Sequence, residues 1–239
     1  MELEICIHCV AYQRRLCWML SSILQQKGDL PNITINLSYA KNEGNPKTID
    51  VIDYFTKKGL KIIPLELTEE QGKNRAIPRN IQAKNAHTDW MLFADCDHVY
   101  DPYFFDDIYK QLLTDKFKNE TKVIGSDRYS LDIPFCIDYF DKDARTYPCE
   151  IPDVANLVST WPVMRVNGKR IAAGNFQLAS VKAIKQNPYG GIYSGRQRDG
   201  GRSFKSDIQF RKIMGGRVAM DVKPQYHLNH SRTLDNIKR

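Results

Sequence analysis

The chain has 239 residues, 42% hydrophobic and 26% charged, with a formal net charge of +7 and an isoelectric point near 9.0. Such a length buries a sizeable core, and such a composition is ordinary for a soluble globular protein. No run approaches the ~20 apolar residues of a membrane helix, and the N-terminus lacks a basic stretch followed by an apolar one. The sequence alone therefore predicts a cytoplasmic protein (host cytoplasm for a viral chain) without membrane insertion.

The cysteines Cys6, Cys9, Cys17, Cys96, Cys136 and Cys149 include no pair of C-x-x-C motifs, so they read as reduced, mostly buried thiols rather than a zinc site or disulfide framework. The basic balance suits an anionic partner such as a nucleotide or nucleic acid, and equally a solvated basic surface.

In chain order, Leu3 to Val10 predicts a first strand, and Leu16, Met19, Leu20, Ile23 and Leu24 mark one face of a helix that stops at Lys27-Gly28-Asp29. Ile33 to Leu37 predicts a second strand, Pro46 to Lys58 a helix closed by Gly59, and Lys61 to Leu65 a third strand. Strands alternating with amphipathic helices imply a parallel sheet with right-handed crossovers. A loop from Thr68 to Ile77 and a helix from Pro78 to His87 follow. Phe104, Phe105, Ile108, Tyr109, Leu112 and Leu113 mark another helix, and Val123-Ile124 opens a strand.

From Ser126 to Asn167 the periodicity is lost, as in a variable segment facing a substrate or an aromatic cover over the sheet. Order returns with a strand from Arg170 to Leu178 and a helix from Ser180 to Gln186. After the Gly- and Arg-rich loop Asn187 to Arg202, Ser206-Asp207-Ile208-Gln209 has the form of a capping box opening a helix to Met214. Val218-Ala219-Met220 predicts a last strand.

The centre of this pattern is Trp90-Met91-Leu92-Phe93-Ala94-Asp95-Cys96-Asp97-His98, an apolar strand ending in acid. Residues i and i+2 share a side, so Asp95 and Asp97 present two carboxylates at the carboxyl edge of the sheet, where open α/β folds bind ligands. Two hard oxygen donors suit Mn²⁺ or Mg²⁺ shared with substrate phosphates, although a solvated turn after a strand has the same letters.

Four segments together resemble the GT-A glycosyltransferases, specifically the family 2-like enzymes. These are Ile5 to Arg14, Gly72 to Asn80 ending Pro78-Arg79-Asn80, Phe93-Ala94-Asp95-Cys96-Asp97, and the closing half with Ala173-Gly174-Asn175-Phe176, the helix at Asp207 and His230-Ser231-Arg232. The last of these is similar to the "H-S-R" of β-1,4-galactosyltransferases. The resemblance implies a single GT-A domain over 1–239, α/β with a Rossmann-like, mostly parallel central sheet flanked by helices. Residues 1–125 would form the nucleotide-sugar half, and 126–239 the acceptor half and tail.

The implied activity is transfer, with inversion, of a sugar from a nucleotide-diphosphate sugar, UDP-linked in most of the family, to a hydroxyl acceptor. Asp97 is the implied metal ligand, with Asp95 at the ribose or sugar and sharing the ion, and His230 or else His227 completing the site. Imidazole beside carboxylate favours Mn²⁺ over Mg²⁺. Ala11, Tyr12, Arg14, Ser38 and Arg79 are the implied nucleotide contacts, and Gly174, Asn175 and Trp161 the acceptor contacts.

Asp207 is the implied general base, although the family's acidic motif aligned through Ile208 and Arg211 sets Lys205 at the usual base and leaves Asp199 as another acid. Arg196, Arg198, Arg202, Lys205, Arg211, Lys212 and Arg217, with Lys238-Arg239, could follow the phosphates of a DNA acceptor carrying a hydroxymethylated base. A saccharide acceptor is the other expectation. The alternatives are a non-catalytic nucleic-acid-binding protein, which leaves the acids and histidine unused, and a sugar nucleotidyltransferase, whose Gly-rich loop Val10-Ala11-Tyr12-Gln13 lacks.

Overall fold

The computed structural model describes residues 1–10, 12–40, 47–126, 128–131, 133–165, 176–189 and 204–228. The first half alternates as expected, except that the stretch read as a loop from Thr68 to Ile77 contains a one-turn helix: β1 (Glu2–Cys9), α1 (Gln13–Leu24), β2 (Asn32–Ala40), α2 (Thr48–Lys57), β3 (Ile62–Leu67), α3 (Glu69–Gly72), α4 (Ala76–Asn85) and β4 (Trp90–Asp95). Then come β5 (His98–Tyr100), α5 (Phe104–Leu112), α6 (Asp115–Lys118), β6 (Val123–Gly125) and β7 (Arg128–Leu131). The remainder comprises α7 (Ile133–Cys136), a π turn (Ile137–Asp141), α8 (Val154–Thr160), β8 (Val163–Arg165), β9 (Phe176–Ser180), α9 (Val181–Gln186), α10 (Phe204–Ile213), β10 (Arg217–Ala219) and β11 (Gln225–His227).

Among the described residues the main sheet has seven strands in the order β10-β6-β9-β4-β1-β2-β3. Its pairs are parallel except those of β9, which runs antiparallel to β4 and β6. This is the mostly parallel, helix-flanked α/β sheet the sequence predicts. A second sheet, β5-β11-β7-β8, was not legible in the sequence. Its strands are three or four residues long, too short to display a period, and pairing across the chain rather than local pattern creates them.

β4 is buried on both faces, and its alternate residues feed different cores. Trp90, Leu92 and Ala94 join Trp18 of α1 and Phe104 of α5, whereas Met91 and Phe93 join Ile184 of α9 and Phe210 of α10. On β1, Leu3, Ile5, Ile7 and Cys9 enter the first core. The other face of β1 and β2, toward α4, buries Cys6 with Ala76 and Ala83 but otherwise carries polar groups held by hydrogen bonds. Asn36 donates to Glu4 at 3.2 Å and Gln82 of α4 donates to the Asn36 carbonyl at 2.9 Å, which satisfies groups that burial would otherwise penalise.

The irregular stretch between β7 and β8 packs on α1. The Trp18 indole N–H donates to the Tyr147 hydroxyl at 3.2 Å, and its ring meets Phe140 edge-on at 4.9 Å and Trp161 at 6.0 Å. All six cysteines are free thiols, five of them buried. The last long helix begins at Phe204, so Ser206 and Asp207 sit inside its first turn; the capping box expected at Ser206 is not the helix start. No helix among the described residues is long and apolar enough to cross a membrane.

Candidate active site at the carboxyl edge of the sheet

β1, β2 and β4 end together, with His8 in register with both Ser38 and Asp95. At this edge Asp95 closes β4 and Asp97 follows two residues on in the bend before β5, and Cys96 between them is buried in the first core. Each carboxylate has its own set of partners.

Asp95 faces arginines. Arg75, at the start of α4, donates to Oδ2 at 3.1 Å, and Arg79, one turn on, reaches Oδ1 at 3.4 Å. The negative charge of Asp95 raises the Arg75 guanidinium further above its ordinary range. Arg79 is 1% exposed and its other guanidinium nitrogen donates to Asp207 Oδ1 at 2.9 Å. Tyr189 also donates to Asp207 Oδ1, and its ring and that of Phe93 flank the guanidinium at 4.8 and 5.3 Å. Burial pushes the Asp207 carboxyl up, opposed by Arg79.

Asp97 faces histidines. His98 Nδ1 lies 2.9 Å from its Oδ1, and His227 Nε2 lies 3.3 Å from its Oδ2. β5 and β11 run antiparallel with His98 opposite His227, so the two imidazoles share a side with ring centres 4.9 Å apart. The Leu228 amide donates to the Asp97 carbonyl at 2.8 Å and ties the acidic turn to the end of β11. Burial alone would raise the Asp97 carboxyl, but His227 and His98 outweigh it and hold that group well below the usual carboxylate range.

The donor atoms of Asp97, His98 and His227 all lie within 4.8 Å of one another. Two imidazoles and a carboxylate so placed could hold a metal ion.

A third feature braces the edge. His8 Nε2 donates to the Gly72 carbonyl at 2.8 Å, and its Nδ1 lies 3.0 Å from the Ser38 hydroxyl. A carbonyl only accepts, so Nε2 carries a proton, and burial lowers the pKa of the ring to about 4. Gly72 must come close to β2, since a Cβ there would meet the Ala40 side chain at 2.9 Å. His8 thus secures the loop that delivers Arg75.

The residues singled out in the sequence are distributed unevenly. Asp95, Arg79 and Asp207 come together, but Arg79 bridges two carboxylates in the interior rather than lining an open phosphate site. Asp95 is engaged by arginines and is not part of the Asp97 group. Ser38 is fully buried and held by His8 and the Ile7 carbonyl. Trp161 is 6% exposed among Trp18, Phe140 and Tyr226, so it packs as core rather than as an acceptor platform.

Tyr12 and Arg14 are half-buried at the start of α1, with the Arg15 guanidinium 5.8 Å from the Tyr12 ring and the Arg14 guanidinium 5.5 Å from that of Tyr147. Ala11, Gly174, Asn175 and His230, with Asp199 and the loop arginines Arg196, Arg198 and Arg202, lie outside the described residues. The sequence reading missed Arg75, Tyr189, His8 and His98. Arg75 sits one turn before Arg79 and His98 directly follows the acidic pair, so both had a local signal. Tyr189 had none.

Comparison with known proteins gives these contacts a setting. No curated protein sequence matches the chain. Its fold is similar to that of the 1–349 fragment of S. aureus TarS, with a TM-score of 0.61 and 13% identity, covering 95% of this chain and 60% of that one. The same fragment in complex with UDP gives 0.61 and 15%, covering 99% and 62%, and in complex with UDP-GlcNAc 0.60 and 13%, covering 97% and 59%. The chain therefore spans about three fifths of the length of those fragments, and at such identities the likeness is one of fold. The model of glycosyl transferase family 2 matches residues 5–131, which runs from β1 through the acidic pair to β7. With more than half of its length so matched, the chain belongs to glycosyl transferase family 2.

Proposed function

We propose that this protein transfers a sugar from a UDP-sugar to a hydroxyl acceptor, with inversion, at the carboxyl edge of β4. The observation that carries this reading is the division of the acidic pair, with Asp95 among arginines and Asp97 among histidines. A nucleotide-diphosphate donor presents both a ribose-sugar unit and a charged leaving group, and the two environments match those two needs. Donor choice rests on family membership and on the fold shared with TarS, whose structures include UDP and UDP-GlcNAc complexes.

Asp97 and His227 would hold the divalent ion, Mn²⁺ in preference to Mg²⁺. Such an ion, when bound, neutralises charge on a departing diphosphate. Arg75, more exposed than Arg79, is the guanidinium within reach of the donor phosphates, and Asp95 sets its direction. Arg79 fixes Asp95 and Asp207 relative to each other.

Asp207 is the general base of this proposal. The described hydrogen bonds from Arg79 and Tyr189 both fall on its Oδ1, which leaves Oδ2 to take the acceptor proton, and burial makes it more basic than an exposed carboxylate. The acceptor we favour is a saccharide hydroxyl, with DNA bearing hydroxymethylated bases as the competing substrate.

The test is calorimetric titration of UDP into wild type, Asp97→Ala and Asp207→Asn, each with and without Mn²⁺, followed by turnover of UDP-sugars. Expected are manganese-dependent UDP binding lost in Asp97→Ala, and binding retained with transfer lost in Asp207→Asn. An absence of UDP binding in wild type with Mn²⁺ overturns the donor. Turnover of oligosaccharide against modified duplex at two salt concentrations then decides the acceptor.

A further inference from the structure

We infer that His98 is a metal ligand in its own right, so that Asp97, His98 and His227 retain a transition-metal ion before any nucleotide arrives. The inference rests on the metal-assisted reading above and deepens it: Asp97, with Asp95 sharing the ion, and one C-terminal histidine are what the sequence led us to expect, and the second imidazole comes from the fold.

His98 opens β5, the strand that begins directly after the acidic pair, and stands opposite His227 in the β5–β11 ladder. Cross-strand partners project to one side, which brings the imidazoles together over the carboxylate between them. The His98 Nδ1 to Asp97 Oδ1 separation of 2.9 Å and the His227 Nε2 to Asp97 Oδ2 separation of 3.3 Å are both near the roughly 3 Å that adjacent ligands of one ion adopt. His98 is fully buried, and its backbone lies in a paired strand rather than a loop, so its ring is preorganised.

Two consequences follow from a third protein ligand. A centre with one carboxylate and one imidazole depends on donor phosphates to hold its ion, whereas two imidazoles and a carboxylate hold one unaided. Imidazole donors also prefer Mn²⁺, Fe²⁺, Co²⁺ or Zn²⁺ to Mg²⁺, so magnesium becomes a poor occupant. The competing role for His98 is to orient Asp97 by hydrogen bonding without touching the ion. Loss of affinity cannot separate the two, because removing an orienting partner itself costs about 10- to 100-fold.

The experiment therefore counts nitrogens. The nucleotide-free full chain is titrated with Mn²⁺ by calorimetry, and pulsed electron paramagnetic resonance counts ¹⁴N nuclei bound directly to the Mn²⁺. Wild type is compared with His98→Gln, His98→Ala and His227→Ala, each checked for folding by circular dichroism. His98→Gln preserves a polar side chain should the alanine variant unfold.

Expected are one Mn²⁺ per chain without nucleotide, a coordinated-nitrogen count that falls by one in each variant, and no displacement by a hundredfold excess of Mg²⁺. A count unchanged in the folded His98 variants, Mn²⁺ binding that appears only after UDP is added, or ready displacement by Mg²⁺ overturns the inference. UDP-sugar turnover on the same wild-type sample keeps the two readings separate. Turnover with an unchanged count removes only the His98 role, whereas two histidine ligands without turnover remove the donor.

Discussion

Asp95 and Asp97 are the same residue type two positions apart, yet the protein surrounds them with opposite chemistries. Asp95 belongs to the helical side, where α4 supplies Arg75 and Arg79 and α10 supplies Asp207 as a counterweight. Asp97 belongs to the small second sheet, where β5 and β11 supply His98 and His227. A guanidinium stays charged and fixes a carboxylate by paired hydrogen bonds, whereas a neutral imidazole offers a lone pair that a metal can take. In the proposed function this acidic strand end serves positioning on one side and metal capture on the other, and the variants that separate these roles rank by expected effect.

Asp97→Asn has the largest expected effect. It keeps the volume but removes the charge between the histidines, and UDP-sugar turnover should fall by about 100- to 1,000-fold with the fold intact. An Asp97→Asn enzyme with wild-type turnover would erase the distinction between the two carboxylates.

Arg79→Met follows, with its effect in stability. It leaves Asp207 and part of Asp95 as uncompensated buried carboxylates, so urea denaturation should register a loss of about 3–5 kcal/mol. A loss below 1 kcal/mol would mean that the interior bridge is not what holds the arginine side.

The His8 brace predicts a pH dependence of definite sign. Its folded pKa of about 4 lies below the ordinary 6.5, so the unfolded chain binds more protons between those values and folding stability falls as pH drops from 6.5 toward 4. The contribution is at most about 3 kcal/mol, by the conversion of a pKa difference into free energy. His8→Gln keeps an N–H for Gly72 without the titration, so the stability of wild type relative to this variant should decline across that window. Parallel pH curves for the two proteins would dismiss the neutral imidazole as the source.

Arg75→Ala has the smallest effect on folding. Its side chain is 36% exposed, and a pair so placed contributes about 0.2–1 kcal/mol. The consequence should appear instead as a raised KM for the UDP-sugar with kcat little changed. If kcat falls and KM holds, Arg75 acts on the transition state rather than on donor binding.

Apart from the four-residue α3, the strand–helix alternation up to β4 was legible because each element is long enough to repeat its own period, and β4 announced itself by five apolar residues ending in acid. Asp95, Asp97, Arg79 and Asp207 were legible as candidates from residue type and order. Their partnerships were not. Arg79 reaches Asp207 across 128 residues, and Tyr189 reaches Arg79 across 110, separations over which local pattern carries no information. The burial of Ser38 and Trp161 was not legible for a related reason, since a polar hydroxyl and a large aromatic fit a ligand surface and a core equally well.

The sequence by itself determined the α/β class, the acidic strand end and the catalytic candidates, because periodicity and side-chain chemistry are local properties. The tertiary structure decided which carboxylate faces which cation. Two three-residue strands, β5 and β11, are too short to be read individually, and only their antiparallel pairing sets His98 opposite His227 beside Asp97. Long-range strand register, fixed by backbone hydrogen bonds between distant segments, is what turns a common acidic motif into two distinct sites.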